Sequence, residues 1–360
     1  MKVIEYLKEH GVEKLREEFA IIVKDVDDLL VLNYNQIESP KAHPIVMECR
    51  SLILDNQFNI VSRSFDRFFN YGEAPDTQVH LDFSKATCFE KVDGSLIKIY
   101  NYKGVWQAAT RGTAYAESAC NFGLPFKTLV MKALECEQEI EFQTLCDLWL
   151  DVDWTYIFEL TSVENRVVKR YDGYTLHYLA SRHNQSGEFG DDYEKEAALM
   201  LGAKEIKEFK FDSVENCVNA AKGLPNLEEG YVVYQDGVPV CKIKSPAYLA
   251  VHAIRGEGLS PKRIMQLVLM NEQDEYLSYF PEDKEFFTPY VEGLESLLND
   301  VATVYDRFEG IVEQKEFALS VKDYPFSAVM FQARQKKQNP VHTFHEQAET
   351  YKIKVLEQFV

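Results

Sequence analysis

The chain has 360 residues, 46% of them apolar, with 20 Tyr, 23 Phe and a formal net charge of −19. The apolar and aromatic content excludes a disordered chain, and the length implies two domains rather than one core. The charge excludes a protein that coats nucleic acid by bulk electrostatics, so any such binding must be weak, salt-sensitive and carried by a few placed Lys and Arg.

Residues 2–20 have the spacing of an amphipathic helix, and their charged start, MKVIEYLKEHGVEKLREE, lacks the apolar core of a secretory signal. From residue 45 to 110 the texture changes to short apolar runs, SLILD, NIVSRSF, SLIKIYN and VWQAATR, separated by Asp, Asn and Gly turns; these predict strands. Helical spacing occupies 114–148. Strands return in TYIFELTS, RVVKRY and TLHYLASR, then helices at 192–202 and 213–222. GYVVYQD and PVCKIKS form a hairpin around Asp236-Gly237. Beyond 250 the spacing is helical, at 261–272, 286–300, 302–319 and 343–358. The chain therefore divides near 246–256, into a mixed portion (1–250) and a smaller helical one (251–360). No apolar run reaches the roughly 18 residues of a membrane span. Seven cysteines, at 49, 88, 120, 136, 146, 217 and 241, include no Cys-x-x-Cys pair, so reduced thiols in a cytosol are expected.

Six polar clusters sit on or beside the strands: Arg50; Ser62–Glu73, with Arg63, Arg67 and several aromatics; Lys91-Val92-Asp93-Gly94-Ser95; Phe158-Glu159-Leu160; Glu229-Gly230-Tyr231; and Lys242-Ile243-Lys244-Ser245. Singly each has an ordinary reading. Lys-x-Asp-Gly is usually a strand end with a turn, and Lys242 and Lys244 could be an exposed strand face. Their i, i+2 spacing places both amines on one side, which suits a shared phosphate. His43, His177, His183 and His252 have no metal-ligand spacing, and no P-loop, GxGxxG or Ser-His-Asp arrangement is visible.

In this order the clusters resemble the covalent nucleotidyltransferases, the superfamily of ATP-dependent ligases and RNA capping enzymes. The Arg67-Phe68-Phe69-Asn70 stretch and its flank, Glu159 to Val168, and Lys-Ile-Lys-Ser followed by Tyr248 and His252 resemble the phage T4-type RNA ligase 1 family in particular. The resemblance covers 45–255. It implies an α+β fold: a nucleotidyltransferase, ATP-grasp-like ligase domain of antiparallel sheets and helices, followed by a smaller all-α domain that guides RNA choice. It implies ATP and Mg²⁺ as cofactors, with Mn²⁺ as a substitute. Lys91 would attack the α-phosphate, with Arg50, Lys242 and Lys244 also catalytic. Arg67, Arg111 and Tyr248 would join them in holding the nucleotide, with Glu159 and Glu229. Asp93, Glu159 and Glu229 would hold metal. Arg67 and Arg111 stand where the family often has lysine. A lysine amine is protonated near neutrality, so Lys91 needs its pKa depressed, with Mg²⁺ and Lys242/Lys244 as the expected source.

The implied partner is RNA with 5′-phosphate and 3′-hydroxyl ends, anticodon-nicked tRNA being one candidate, for a monomer in the cytoplasm of an infected host. Tyr178, Leu179 and Tyr231 are open candidates around the base, Phe69 is a candidate for closing the site near Arg67, and Arg334-Gln335-Lys336-Lys337 is a candidate RNA contact in the tail. Glu228 is expected to be solvated. A DNA ligase or capping enzyme would continue into a β-barrel where this tail reads helical, and a catalytically silent RNA-binding scaffold would have no use for the whole charged set.

Overall fold

The computed structural model describes all residues except 74–80, 121–122, 226, 256–258 and 272. The ends of the predicted helix 261–272 and of the predicted boundary 246–256 thus fall outside the described residues.

Helix α1 (Lys2–Phe19) buries Val3, Leu7, Leu15 and Phe19 and is interrupted at Gly11 (φ 77°, ψ 175°). The Glu48 carboxylate accepts the free N–H groups of Lys2 (3.2 Å) and Val3 (2.8 Å) at its first turn. The helix covers a sheet in which β1 (Ile21–Val26), β2 (Leu29–Tyr34), β3 (Leu52–Asp55) and β4 (Ile60–Ser62) pair in sequence order, all antiparallel. α2 (Pro44–Glu48) lies between β2 and β3. The hairpin β1–β2 lies before the first expected strand. Its signal is the run IIVKDVDDLLVLNY, which Asp27 breaks at φ 55°.

The second sheet has the order β10-β9-β7-β8, from β7 (Ser95–Tyr102), β8 (Val105–Thr110), β9 (Trp154–Ser162) and β10 (Tyr174–His183), again antiparallel. One face packs under α3 (Phe126–Ala133), α4 (Glu139–Trp149) and α5 (Asp192–Met200) around Trp106, Phe142, Tyr156 and Phe158, all fully buried. On the other face Tyr100 and Ala109 meet Leu29, Val31 and Ile53 of the first sheet.

The third sheet has the order β11-β6-β12-β13-β5, from β5 (Phe69–Asn70), β6 (Ala86–Glu90), β11 (Glu208–Phe209), β12 (Gly230–Gln235) and β13 (Val238–Lys244); only β13–β5 is parallel. α6 (Val214–Lys222) backs it through Cys217 and Ala221. The hairpin turns at Asp236 (φ 52°) and Gly237 (φ 78°), the left-handed pair that a two-residue turn requires.

RVVKRY is not a strand. The amides of Val168 and Lys169 donate to Asp93 Oδ2, at 2.7 and 2.6 Å, instead of to a ladder.

The chain separates into two units, Met1–Ala253 and Ile254–Val360, with α7 (Pro246–Arg255) running across the division. Among its described residues the second unit is helical, comprising α8 (Pro261–Leu269), α9 (Gln273–Tyr279), α10 (Lys284–Phe308), α11 (Gln314–Val321), α12 (Ser327–Lys336), α13 (Pro340–His345) and α14 (Glu349–Leu356). Its core gathers Leu297, Val301, Phe317, Met330 and Phe344. The predicted helices 286–300 and 302–319 do not meet at 300: α10 runs unbroken to Phe308, and α12 was not expected.

Candidate active site

A cleft of about 260 Å³ is lined by residues of the second and third sheets. Arg50, Lys91, Glu159, Lys242 and Lys244 all line it. Lys242 and Lys244 arrive together because both point from one face of β13, as their spacing predicts. Two glycines permit the approach of the strands. A Cβ on Gly94 would stand 2.4 Å from the Leu160 carbonyl oxygen, and one on Gly230 (φ 136°) would stand 2.1 Å from that of Ile243.

Lys91 Nζ donates to Glu229 Oε2 at 2.7 Å, and Lys244 Nζ lies 2.9 Å from Glu229 Oε1. The protein's own groups shift the Lys91 amine upward. Burial opposes its charge, but Glu229, Glu159 and Asp93 outweigh burial and raise its pKa. Burial works against Glu229 as well, and Lys91 and Lys244 overcome it and lower the Glu229 pKa. The depressed amine is Lys242, pushed down to about 7 by burial and then by Arg50, Lys91, Lys244 and Arg67. Its Nζ lies 4.5 Å from the centre of the Phe68 ring.

The three expected metal carboxylates do not converge. Among the described residues no cluster of three His, Cys, Asp or Glu is placed to hold an ion. Asp93 is 4% exposed, accepts the two amides at 168 and 169 on Oδ2, and accepts the Tyr248 hydroxyl on Oδ1 at 2.7 Å. Asp93 is a clasp, and Tyr248, fully buried, is its partner rather than a residue lining the cleft. Glu229 is likewise taken up by two ammonium groups. Glu159 fits a cation: its carboxylate makes no hydrogen bond or ion pair to a described residue, and burial raises its pKa to about 7.

The guanidinium of Arg50 makes no hydrogen bond to a described residue, and its buried Nη1 has no acceptor. It rests against Phe65 and Phe68, 5.9 and 5.3 Å from their ring centres. Arg67 and Arg111 do not line the cleft. Both lie against Tyr34, at 4.7 and 4.8 Å, and Arg67 also lies 4.8 Å from the centre of the Phe69 ring. Arg67 donates to Glu73 at 3.0 Å, yet its buried Nε has no acceptor. Burial lowers the Arg50 pKa; Tyr34 and Glu159 oppose this, while Arg111 and Arg67 add to it. Such a set of crowded cations with unfilled donors suits a polyanion.

Phe65, Phe68 and Asn70 of the 62–73 cluster also line the cleft, as do Glu90, Ile206 and Tyr234, which were not singled out by sequence. Of the base candidates Leu179 is present, at the register shift between Tyr178 and Ala180 that turns it inward. Tyr178 and Tyr231 lie in hydrophobic cores. Glu228 is not simply solvated, because it accepts Lys169 Nζ at 2.7 Å.

The RNA ligase family model of the T4 RNA ligase 1 type matches residues 48–248. The chain belongs to this RNA ligase family. The polynucleotide kinase/RNA ligase of Autographa californica nuclear polyhedrosis virus is 39% identical over 376 residues, covering 100% of this chain and 53% of that protein. The RNA ligase of Rhodothermus phage RM378 is 24% identical over 405 residues, covering 89% and 90% of the two chains. Among solved structures, an archaeal ATP-dependent RNA ligase is 16% identical with a TM-score of 0.42, covering 75% of this chain and 68% of that one. The chain thus spans about half the length of this baculovirus relative.

Proposed function

We propose that this RNA ligase joins RNA ends in an ATP-dependent reaction through Lys91. The carrying observation is the Lys91 amine set in a cleft beside Arg50, Lys242 and Lys244, with a buried guanidinium N–H that no described residue satisfies. In the first step Lys91 Nζ, having lost its proton, attacks the α-phosphorus of ATP; an N–P bond forms and pyrophosphate leaves. An oxygen of an RNA 5′-phosphate then attacks that phosphorus and releases the lysine, giving a 5′–5′ pyrophosphate-linked end. Finally a 3′-hydroxyl attacks the RNA phosphorus, AMP leaves and a phosphodiester remains.

Lys242, Lys244 and Arg50 are positioned to neutralise phosphate charge as it develops. Mg²⁺, with Mn²⁺ as a substitute, would be held at Glu159 and would supply positive charge beside the phosphates. A cation there weakens the carboxylate field that keeps Lys91 protonated. Residues 1–253 would carry adenylylation, and 254–360 would guide RNA choice, nicked tRNA being one candidate substrate for a monomer.

The reading is tested by incubating the chain with α-phosphate-labelled ATP and Mg²⁺, denaturing it and following the label. Label is expected on the wild type and absent from Lys91→Ala. An equally labelled Lys91→Ala protein would remove Lys91 as the nucleophile, and an unlabelled wild type would remove the adenylylation step.

A further inference from the structure

Lys98 lies on β7 and is fully buried, an expensive place for an amine. Among the described residues its Nζ has one hydrogen-bond acceptor, the Ser51 carbonyl oxygen at 2.5 Å. Ser51 adjoins Arg50 and stands in the left-handed region, at φ 56°. A serine adopts that conformation at a cost unless its surroundings fix it. Here they do so from three sides. The Ser51 N–H donates to Asn33 Oδ1 at 3.1 Å, its hydroxyl donates to the Thr110 carbonyl at 3.3 Å, and Lys98 holds its own carbonyl. Asn33 also donates to the Arg111 carbonyl at 2.7 Å.

The consequence falls on Arg50. Its guanidinium is tied to no described residue by a hydrogen bond, so its aim into the cleft depends on the Phe65 and Phe68 rings and on the backbone that carries it. An aliphatic side chain would fill the Lys98 site at lower cost but could not hold the Ser51 carbonyl. We propose that Lys98 is a positioning residue: it fixes the left-handed turn at Ser51 and thereby directs Arg50 toward the phosphates of the bound nucleotide. Burial pulls the Lys98 amine down to about 7, and the amine can donate this bond in either protonation state. The proposal rests on the nucleotide reading of the cleft.

The test is calorimetric binding of ATP to the full chain, for wild type, Lys98→Met, Arg50→Ala and the double variant, with thermal unfolding of each beside it. Lys98→Met is expected to weaken ATP binding by about five- to twenty-fold, in the range of a lost charge-assisted contact. In the Arg50→Ala background the same change should alter affinity by less than about twofold, because coupled residues are not additive. An equal loss in both backgrounds would mean general loosening and overturn the proposal, as would unchanged affinity in Lys98→Met. If Lys98→Met does not fold, Ser51→Gly carries the test. Glycine accepts φ 56° and keeps the carbonyl that Lys98 holds, but it loses the hydroxyl bond to Thr110 and gains backbone freedom, so a smaller loss that is non-additive with Arg50→Ala is expected, and full additivity or unchanged affinity overturns the idea. A wild type that binds no ATP overturns the nucleotide reading, and this proposal with it.

Discussion

At the scale of single residues, the cleft holds an ionisation pattern that function requires and stability does not. The Glu159 pKa rises from 4.5 to about 7 through burial. A raised carboxylate pKa means that the folded state binds the proton more tightly, so this group's contribution is present below pH 4.5 and is lost as pH rises through 7. At pH 8 the ionised, unpaired Glu159 therefore destabilises the chain. Glu159→Gln should be more stable there, by roughly 1–3 kcal/mol in denaturant unfolding, while adenylylation falls at least about tenfold. The stability gain should shrink toward pH 4.5; a gain equal at both pH values would sink this account. Lys242 gives the complementary case. With its pKa near 7 it is mostly neutral at pH 8, and a bound phosphate would restore its charge. Tripolyphosphate binding at pH 8 should thus take up a proton, read as a dependence of the binding heat on buffer ionisation enthalpy. Lys242→Met should abolish that dependence.

At the scale of elements, strand-borne residues were legible because period-2 spacing fixes their side. Lys242 and Lys244 share the cleft for this reason, and Glu159 faces opposite to Phe158 and Leu160 as expected. What was not legible depends on partners distant in sequence. RVVKRY has strand composition, but Asp93 captures two of its amides. Leu179 enters the cleft through a register shift that composition does not encode. Asp93 and Tyr248 were expected at metal and nucleotide, yet their mutual hydrogen bond joins elements 155 residues apart. The same is true of Arg334: it donates to the Ile311 and Val312 carbonyls, and Lys336 pairs with Glu346, so the basic stretch expected to meet RNA is largely engaged within its own unit. The clasp yields a prediction. Asp93→Ala strands two amides and a buried hydroxyl, and should cost about 2–4 kcal/mol. Limited proteolysis should then cut first within 165–171. Cleavage no faster than in the wild type would show that other contacts hold that segment.

At the scale of the whole molecule, a net charge of −19 surrounds a cleft that presents Arg50, Lys91, Lys242 and Lys244. Two of these cations, Lys91 and Lys244, already share the single negative charge of Glu229. Counterion release counts the phosphates a protein neutralises, with a slope of about −0.7 per phosphate for single strands. With Arg50 and Lys242 as the cleft cations not paired to a described carboxylate, affinity for a 5′-phosphorylated RNA strand should fall with salt at a log–log slope of about −1 to −1.5. A chain that gripped RNA along an extended basic surface would show a much steeper slope. The acidic exterior disfavours that mode, so RNA should engage mainly where its terminal phosphate enters the cleft. Removing that phosphate should then weaken binding more than shortening the strand. Deleting residues 256–360 provides the matching measurement: adenylylation of Lys91 should persist, while the preference between tRNA and linear RNA changes. An unchanged preference would assign RNA choice to residues 1–253.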